Sequence, residues 1–375
     1  MVSQMHHCLI LMESLRLLLE KASQYFGAPF HSWQSFWFAV SAAPSAFLDL
    51  GSKTGWPYFL SSLLIAWVIF RRTKDVHGCK SFFAFMFPRD IYRHRSAVAD
   101  YKFVAFELST KLLFTAPFIS AASYAIYKGL HLVLPSVPGV WIANPLARGI
   151  AVSIAGVVVM DFGFFVSHYL MHRIPALWQF HELHHSAEVL TPITIYRVHP
   201  VEELVSGLVA AMVGAIVGVL YGSAFRRETD ILTIFGVNVI ILGYFLFGNT
   251  LRHSHIWLSY GPVMSRLFIS PAQHQIHHSM DPKHWNKNFG YIFAFWDLFS
   301  KTLYVPEHQE TLQFGVPGTD AADFSTVPRM YLLPFKKAGR VLATGVGSLR
   351  HTLRRYVTQD SRLEDREREA VGRSD

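Results

Sequence analysis

Two long uncharged apolar runs limit what this chain can fold into. Leu204–Gly222 and Ile231–Leu251 contain no charged side chain, and each is long enough to cross the hydrocarbon core of a bilayer as a helix. The segment between them, Ser223–Asp230, is short, so the two runs are predicted to form a membrane hairpin. Both flanks of that hairpin must then lie on the same side of the membrane, where residues far apart in sequence can meet.

The composition agrees with a membrane protein. Hydrophobic residues make up 51% of the chain and charged residues only 16%, which is unusual for a soluble enzyme and typical of a polytopic membrane protein. The net charge of +8 is spread through loops, which favours contact with anionic lipid and argues against nucleic-acid binding. The two cysteines, Cys8 and Cys79, are far apart and predict neither a disulfide framework nor a thiolate metal site.

Further apolar segments upstream predict additional spans: Trp33–Leu48, Trp56–Phe70, Phe103–Tyr127 and Gly149–Val166. Basic residues crowd the loop after the second of them: Arg71, Arg72, Lys74, Lys80, Arg89, Arg93 and Arg95. By the positive-inside rule this loop is cytoplasmic, and counting spans forward puts 168–199 and everything from Arg252 onward on the same side. The predicted fold is all-α, a polytopic membrane helical bundle with a cytoplasmic, histidine-rich, metal-binding cap. The membrane would be a bacterial inner membrane or the endoplasmic reticulum.

Histidines cluster in the segments that this topology brings together. The pattern HxxHH occurs twice and HxxxH once, and the members are His168, His172, His181, His184, His185, His274, His277 and His278. On helices, each set projects from one face, and imidazole is a good ligand for iron, zinc and copper. Each HxxHH follows a proline, Pro175 or Pro271, that is predicted to start a short helix. Two such helices suggest a pseudo-symmetric arrangement around a pair of metal ions.

Other candidate residues lie near these clusters. His253 closes the second apolar run and is the natural ninth ligand, and Asn249, one helical turn earlier, could contact a metal-bound water or could merely pack. Carboxylates should bind the outer ring nitrogens and balance the metal charge. The candidates are Asp161, Glu182, Glu188, Glu202, Asp281 and Asp297, of which Asp161 and Asp297 are favoured. Asp161 lies deep in an apolar span, which marks a functional site or a carboxylate satisfied by a neighbouring helix.

Three more histidines lie outside the repeated patterns. His255 would point away from His253 on a continuing helix, and His199 and His284 are candidates for orienting or substrate-side roles.

An all-imidazole site at a membrane face favours iron-dependent oxygen chemistry on a lipid, because apolar spans supply a dry slot for a C–H bond. The clusters show neither the carboxylate bridges of hydrolytic metal pairs nor the thiolates of structural zinc. Two alternatives stay open: a zinc-dependent membrane lipid hydrolase, and a non-enzymatic metal-binding or transport membrane protein. Oxygen-independent turnover would indicate the first, and metal flux in sealed vesicles the second.

The histidine pattern resembles that of the membrane fatty acid hydroxylase / sterol desaturase superfamily, which has HxxxH, HxxHH, an isolated histidine after a later span and a second HxxHH. Flanking residues are similar too: Leu177-Trp178, His185-Ser186, Asn288-Phe289-Gly290 and Trp296-Asp297. The resemblance covers roughly 150–305. Asn249 stands where some members have a histidine, and Phe299-Ser300-Lys301-Thr302 replaces the usual Phe-Gly-Thr.

The resemblance implies a di-iron enzyme that uses O2 to hydroxylate or desaturate a lipid, with the nine histidines as metal ligands. No haem-attachment, flavin-binding or GxGxxG motif occurs in the sequence, so the electrons are expected from a separate donor, a reductase with a cytochrome or ferredoxin. The expected regions are 1–32, an N-terminal amphipathic segment; 33–148, transmembrane helices with the basic loop; 149–310, a hydroxylase-like catalytic domain; and 311–375, a C-terminal cytoplasmic tail.

Overall fold

The computed structural model describes residues 16, 20–21, 23–25, 27–40, 48, 55–72, 81–134, 142, 144–221, 231–234, 236–320 and 322–344. In chain order, its helices are α1 (Trp33–Val40), α2 (Trp56–Arg72), α3 (Phe82–Met86), α4 (Arg89–Tyr92), α5 (Arg95–Thr110), α6 (Ala116–Val133), α7 (Pro145–Arg173), α8 (Pro175–His185), α9 (Pro200–Tyr221), α10 (Val239–Leu246), α11 (Gly261–Met264), α12 (Pro271–His277), α13 (Phe295–Ser300) and α14 (327–344). Shorter turns are the 3-10 segments Ala28–Phe30, Pro192–Tyr196, Asn249–His253 and Pro282–His284, and the π-helical turn Lys111–Thr115. Two two-residue strands, β1 (Thr233–Ile234) and β2 (Val237–Asn238), pair antiparallel.

Three helices in the described part of the chain are long and apolar enough to cross a membrane. They are Arg95–Val133, which joins α5 and α6 through the π-helical turn, α7, and α9 as far as Val219. The predicted all-α membrane protein is therefore confirmed.

The spanning helices approach one another closely at glycines. A Cβ added at Gly163 of α7 would lie 2.8 Å from the Cα of Ala210 on α9, and one at Gly207 would meet Ile119 of α6 at 2.7 Å. Small residues at helix contacts are typical of membrane bundles, because they let two backbones pack closely in the absence of a hydrophobic driving force. Helix α9 is thus held between α6 and α7.

The apolar run 231–251 is not one helix, which corrects the predicted span. It consists of β1 and β2 with a left-handed turn at Gly236, then α10, then the 3-10 turn that carries His253. The side chain of Asn238 caps α10 by accepting a hydrogen bond from the N–H of Ile240, and Gly248, at φ +93°, ends it. The segment still leads from the level of Ser153 on α7 to the histidine cap, since Ser153 Oγ accepts the N–H of Leu232.

The upstream segments follow the prediction in part. Helix α2 covers the second predicted span, whereas α1 covers only the beginning of Trp33–Leu48, and 41–47 lies outside the described residues. Most of the predicted N-terminal segment 1–32, both cysteines and the charged end 345–375 also lie outside them.

Charged side chains in the long helix α5–α6 face the rest of the protein. Lys111 pairs with Glu203 of α9, and the buried Glu107 accepts a hydrogen bond from the hydroxyl of Tyr331 on α14. These contacts resolve the problem of placing two charges in an apolar segment, because each is paired within the bundle.

Helix α14 belongs to the packed cap. Met330 and, just before the helix, Phe324 form a buried cluster with Leu183 of α8 and Phe103 of α5. The boundary predicted at residue 310 therefore does not separate two packing units, and this part of the predicted tail contributes to the core beside the histidines.

Candidate metal centre

Helices α8 and α12 carry the two HxxHH segments, and their ends are firmly fixed. Pro175 and Pro271 occupy the first turn of each helix as predicted. At α12, Ser270 and Gln273 form a capping box, in which each side chain binds the other's backbone N–H. At α8, the buried Arg197 donates to the carbonyl of Leu183 at 2.8 Å, and it forms an ion pair with the buried Asp100 of α5.

The structure brings all nine predicted histidines together in two groups that could each hold a metal ion. Within each group, the nearest ring nitrogens all lie within 4.8 Å of one another. The five-histidine group is His168, His172, His181, His185 and His277, and the four-histidine group is His184, His253, His274 and His278. The groups are neighbours, with the rings of His185 and His278 4.5 Å apart.

The two HxxHH segments are divided between the groups in a reciprocal way. In α8 the first and last histidines join the five-histidine group, while His184 joins the other. In α12, His274 and, just beyond the helix, His278 join the four-histidine group, while His277 joins the five-histidine group. On a helix, positions i and i+4 project together and i+3 projects to one side. Each segment therefore contributes to both groups, as the predicted pseudo-symmetry requires.

Outer ring contacts fix the protonation of four histidines. In each case Nδ1 faces an oxygen that can only accept, so Nδ1 carries the proton and Nε2 keeps its lone pair. The pairs are His168 with the carbonyl of Phe289 at 2.8 Å, His184 with that of Arg197 at 3.2 Å, His277 with that of Lys287 at 2.7 Å, and His181 with the carboxylate of Glu202 at 2.7 Å.

The inner nitrogens consequently face one another without a proton to share. His168 Nε2 and His181 Nε2 are 3.1 Å apart, and the buried Nε2 atoms of His172 and His277 have no hydrogen-bond partner among the described residues. Two ligands at about 2.1 Å from one ion and at a right angle would lie about 3.0 Å apart. The spacing and the unpaired lone pairs therefore fit a metal ion.

Burial favours the neutral form of His184, His185, His277 and His278. Desolvation, followed by neighbouring histidines, lowers the pKa of His184, His185 and His278 well below the ordinary value. For His277, burial lowers the pKa to about 3. Neutral imidazole is the form that binds metal, so the site holds its donors ready without competition from protons near neutral pH.

The favoured carboxylates do not touch a histidine ring, which differs from the prediction. Asp161 accepts from the N–H groups of Ile292 and Phe293 and from the indole of Trp296. Asp297 accepts from the N–H groups of Phe289 and Gly290 and from the hydroxyl of Thr302.

Both aspartates instead shape the loop 287–293. This loop supplies the backbone carbonyls of Lys287 and Phe289 that receive the Nδ1 protons of His277 and His168. The reason is geometric: carbonyls of a closely held loop can reach buried rings that a short carboxylate side chain on a neighbouring helix cannot.

Glu202 is the carboxylate that does bind a ligand candidate, and it was not favoured from sequence. It follows Pro200 in the first turn of α9 and reaches His181 across the crossing of α8 and α9.

The sequence analysis also missed Arg252. This residue is 2% exposed, it donates to the carbonyl of Tyr291, and its guanidinium lies 3.3 Å from His274 Nδ1. The sequence signal that could have identified Arg252 is its position directly before His253, a predicted ligand.

The remaining candidates lie outside the two groups. Asn249 is 1% exposed, and neither atom of its amide has a hydrogen-bond partner in the described region. Because 249–253 is a 3-10 turn, Asn249 and His253 point about 120° apart and do not share a face. His255 binds the carbonyl of Phe85, His199 that of Tyr331, and His284 pairs with Glu310.

Comparison with known proteins identifies relatives for the part of the chain that holds both groups. Residues 153–302 match the fatty acid hydroxylase family. The chain is 27% identical over 187 residues to an ornithine lipid hydroxylase, OlsE, of Rhizobium tropici, covering 50% of this chain and 51% of that protein. It is 25% identical over 156 residues to an alkylglycerol monooxygenase of Caenorhabditis elegans, covering 42% and 28%. An alkylglycerol monooxygenase of Danio rerio is 22% identical over 153 residues, covering 41% and 30%.

The chain thus spans about half the length of the first of these relatives and less of the other two. No solved structure matches it significantly.

Proposed function

The chain carries a fatty acid hydroxylase domain in residues 153–302, and from this premise we propose that the protein is a membrane-bound non-haem di-iron oxygenase. It would hydroxylate, or desaturate, a fatty acyl, sterol or related lipid with O2 and externally supplied electrons. The ornithine lipid and alkylglycerol enzymes to which it is similar support a lipid substrate.

One observation carries the proposal: two adjacent groups of imidazoles, seven of them buried, with reciprocal contributions from two helices. Imidazole without thiolate or bridging carboxylate is a donor set that suits iron, and two neighbouring groups suit a pair of ions. A bound iron pair would activate dioxygen for attack on a C–H bond. In a hydroxylation, one oxygen atom enters that bond and the other leaves as water, which consumes two electrons and two protons from a donor.

The chain's own residues would hold and orient this site. The nine histidines supply ring nitrogens, and the outer contacts to Glu202 and to loop carbonyls fix the ring orientation. Burial of the rings excludes water, which protects a reactive centre from side reactions.

We assign roles to the three predicted polar residues on the same basis. Asp161 and Asp297 are positioning residues that hold the loop 287–293. Asn249 offers a buried amide in the turn that carries His253, suited to a water or another small ligand.

We further propose that the protein crosses the membrane several times, with the histidines on the cytoplasmic side. The basic loop after α2 supports that orientation. The antiparallel contact of α7 and α9 supports it too, because the end of α7 and the start of α9 both lie beside α8. A separate reductase with a cytochrome or ferredoxin would then deliver electrons from the cytoplasm.

The test begins with elemental analysis of the detergent-purified protein after expression with excess iron. We expect about two irons per chain. A total lipid extract, incubated with the protein, ferredoxin, ferredoxin reductase and NADPH as the electron source, should then yield species that gain one oxygen atom from isotopically heavy dioxygen, and none under nitrogen.

A matched pair of variants controls this experiment. His277→Ala removes a member of the five-histidine group and should lower both metal content and oxygenation, whereas His308→Ala changes an exposed histidine outside the groups and should lower neither. Folded protein that binds no metal would contradict the proposal. Two zinc ions with lipid hydrolysis under nitrogen would indicate the hydrolase instead.

A further inference from the structure

Large apolar side chains are exposed on the cap at one edge of the candidate metal centre. They are Val263, Met264, Leu267, Leu298 and Phe299, which are between 45% and 74% exposed. We call these five residues the interfacial patch. Exposed apolar groups that gather in one place mark a contact with another apolar phase.

The patch is a single surface although its residues come from two segments. The backbone N–H of Ala294, just before α13, donates to the carbonyl of Leu267, just after α11, at 2.9 Å. Phe268 and Phe293 form a bridge with their rings 5.7 Å apart, and Phe295 stacks on Phe293 at 4.9 Å. These contacts hold the tip of α11 and the outer face of α13 side by side.

The position of this surface relative to the bilayer follows from α7. Asp161 binds the backbone of Phe293 and the indole of Trp296, so α13 is attached to α7 at the level of Asp161. Asp161 lies seven residues before His168, which places it about 10 Å deeper along the spanning helix than the histidines. The ring of Trp296 also contacts Phe162 at 4.8 Å, on the outer surface of the span. The patch is thus continuous with the lipid-facing side of α7.

Charge at the rim of the patch matches a lipid surface. Arg266 and Lys301 are exposed next to Leu267 and Phe299, and the residues of the patch itself carry no charge. Basic side chains beside an apolar face are the arrangement by which interfacial segments bind anionic bilayers, with the apolar face about 5–10 Å into the headgroup boundary.

We propose that the interfacial patch inserts into the cytoplasmic leaflet, with Arg266 and Lys301 at anionic headgroups, and so anchors the cap beside the metal centre. This inference rests on the membrane orientation proposed above. It adds a contact outside the spanning helices, at the point where a lipid would leave the bilayer for the site.

Depth-dependent quenching tests the insertion directly. Phe299→Cys, in a chain with Cys8→Ser and Cys79→Ser, would carry an NBD fluorophore in nanodiscs of phosphatidylcholine and phosphatidylglycerol with brominated acyl chains. We expect blue-shifted emission and quenching several-fold stronger than at Glu307→Cys, an exposed position on a cap loop whose Glu310 pairs with Lys283. Val263→Cys provides a second probe from the other segment and should behave as Phe299→Cys does.

The outcomes separate this inference from the proposed function. Metal content is measured on the same labelled protein, so a metal-loaded protein whose Phe299 and Val263 probes are as unquenched as Glu307 overturns the insertion alone. Blue-shifted emission that depends on protein concentration and not on brominated lipid would show a second copy on the patch, and would also overturn it. Equal quenching in purely neutral nanodiscs would remove the role assigned to Arg266 and Lys301.

Discussion

Replacing Glu202 by glutamine should weaken metal binding in one group and spare the other. Glu202 Oε1 lies 2.7 Å from His181 Nδ1, and the two side chains are 10% and 3% exposed. Glutamine keeps the size and an accepting oxygen but removes the charge. A charge-assisted hydrogen bond contributes about 1.5–3 kcal/mol and a neutral one about 0.5–1.5 kcal/mol.

The difference, about 1–1.5 kcal/mol, corresponds to about a tenfold loss of affinity. Because the pair is buried, solvent does not screen this energy difference between the charge-assisted and the neutral hydrogen bond. Because His181 belongs to the five-histidine group, the loss should fall on that group. Glu202→Ala, which also frees the ring to rotate, should cost up to about a hundredfold.

Chelator titration followed by elemental analysis measures this effect. Wild-type protein, Glu202→Gln and the control Glu203→Gln are equilibrated with increasing chelator, and the metal retained per chain is counted. Glu203 is the next residue of α9 and pairs with Lys111 rather than with a histidine. We expect Glu202→Gln to release one ion at about tenfold lower chelator than wild type, while the control releases both ions as wild type does.

Two results would refute the reasoning. Identical release curves for Glu202→Gln and wild type would mean that the carboxylate does not support the His181 ligand. Equal weakening of both ions in Glu202→Gln and Glu203→Gln would mean that the effect comes from loosening α9 as a whole, which circular dichroism and thermal melting in detergent would register independently.

Three further predictions concern the surroundings of the site. Asp297→Ala removes two hydrogen bonds that hold the loop 287–293 and a third from Thr302, so metal content and melting temperature should both fall, and retention of full metal would remove the positioning role. Burial lowers the pKa of His199 to about 4 from 6.5, so its neutral form stabilises the fold fully above pH 6.5 and this contribution, about 3 kcal/mol, is lost as pH falls toward 4. The melting temperature of wild type relative to His199→Gln should accordingly drop over that range, and a constant difference would contradict the shift. Gly163→Ala places a Cβ 2.8 Å from the backbone of Ala210 and should destabilise by about 1–3 kcal/mol, whereas Gly156→Ala on the same helix meets nothing within 4 Å and should not; equal melting of the two variants would refute the close helix contact.

The histidine groups were predictable from sequence because their pattern is local. Spacings of three and four residues on a helix fix which rings share a face, and the prolines mark where those helices begin. To bring the clusters together, the predicted topology then had only to place each of them on the same side of the membrane. His253 reaches the site even though its segment is broken, since α10 and the 3-10 turn after it still lead from the level of Ser153 on α7 to the histidines.

The supporting contacts were harder to predict because they depend on how helices cross. Glu202 is separated from His181 by 21 positions, and Asp161 from Ile292 by 131. Sequence shows that a carboxylate in an apolar span needs partners, but the partners are backbone N–H groups, which every residue has, so no side-chain pattern identifies them. The break in 231–251 did leave a signal, because Gly236, Asn238 and Gly248 interrupt the run with residues typical of turns and caps.

The reciprocal division of the two HxxHH segments has a consequence for how the protein is made. The five-histidine group needs His277, and the four-histidine group needs His184 together with His274 and His278. A ribosome that has synthesised the chain only as far as α9 has therefore completed neither set of donors. The four-histidine group must wait until α12 has emerged and docked on α8, whereas four of the five donors of the other group are already present on α7 and α8. The intertwined arrangement thus makes completion of the metal pair a late step of biogenesis, because the second group is assembled only after both halves of the chain have met.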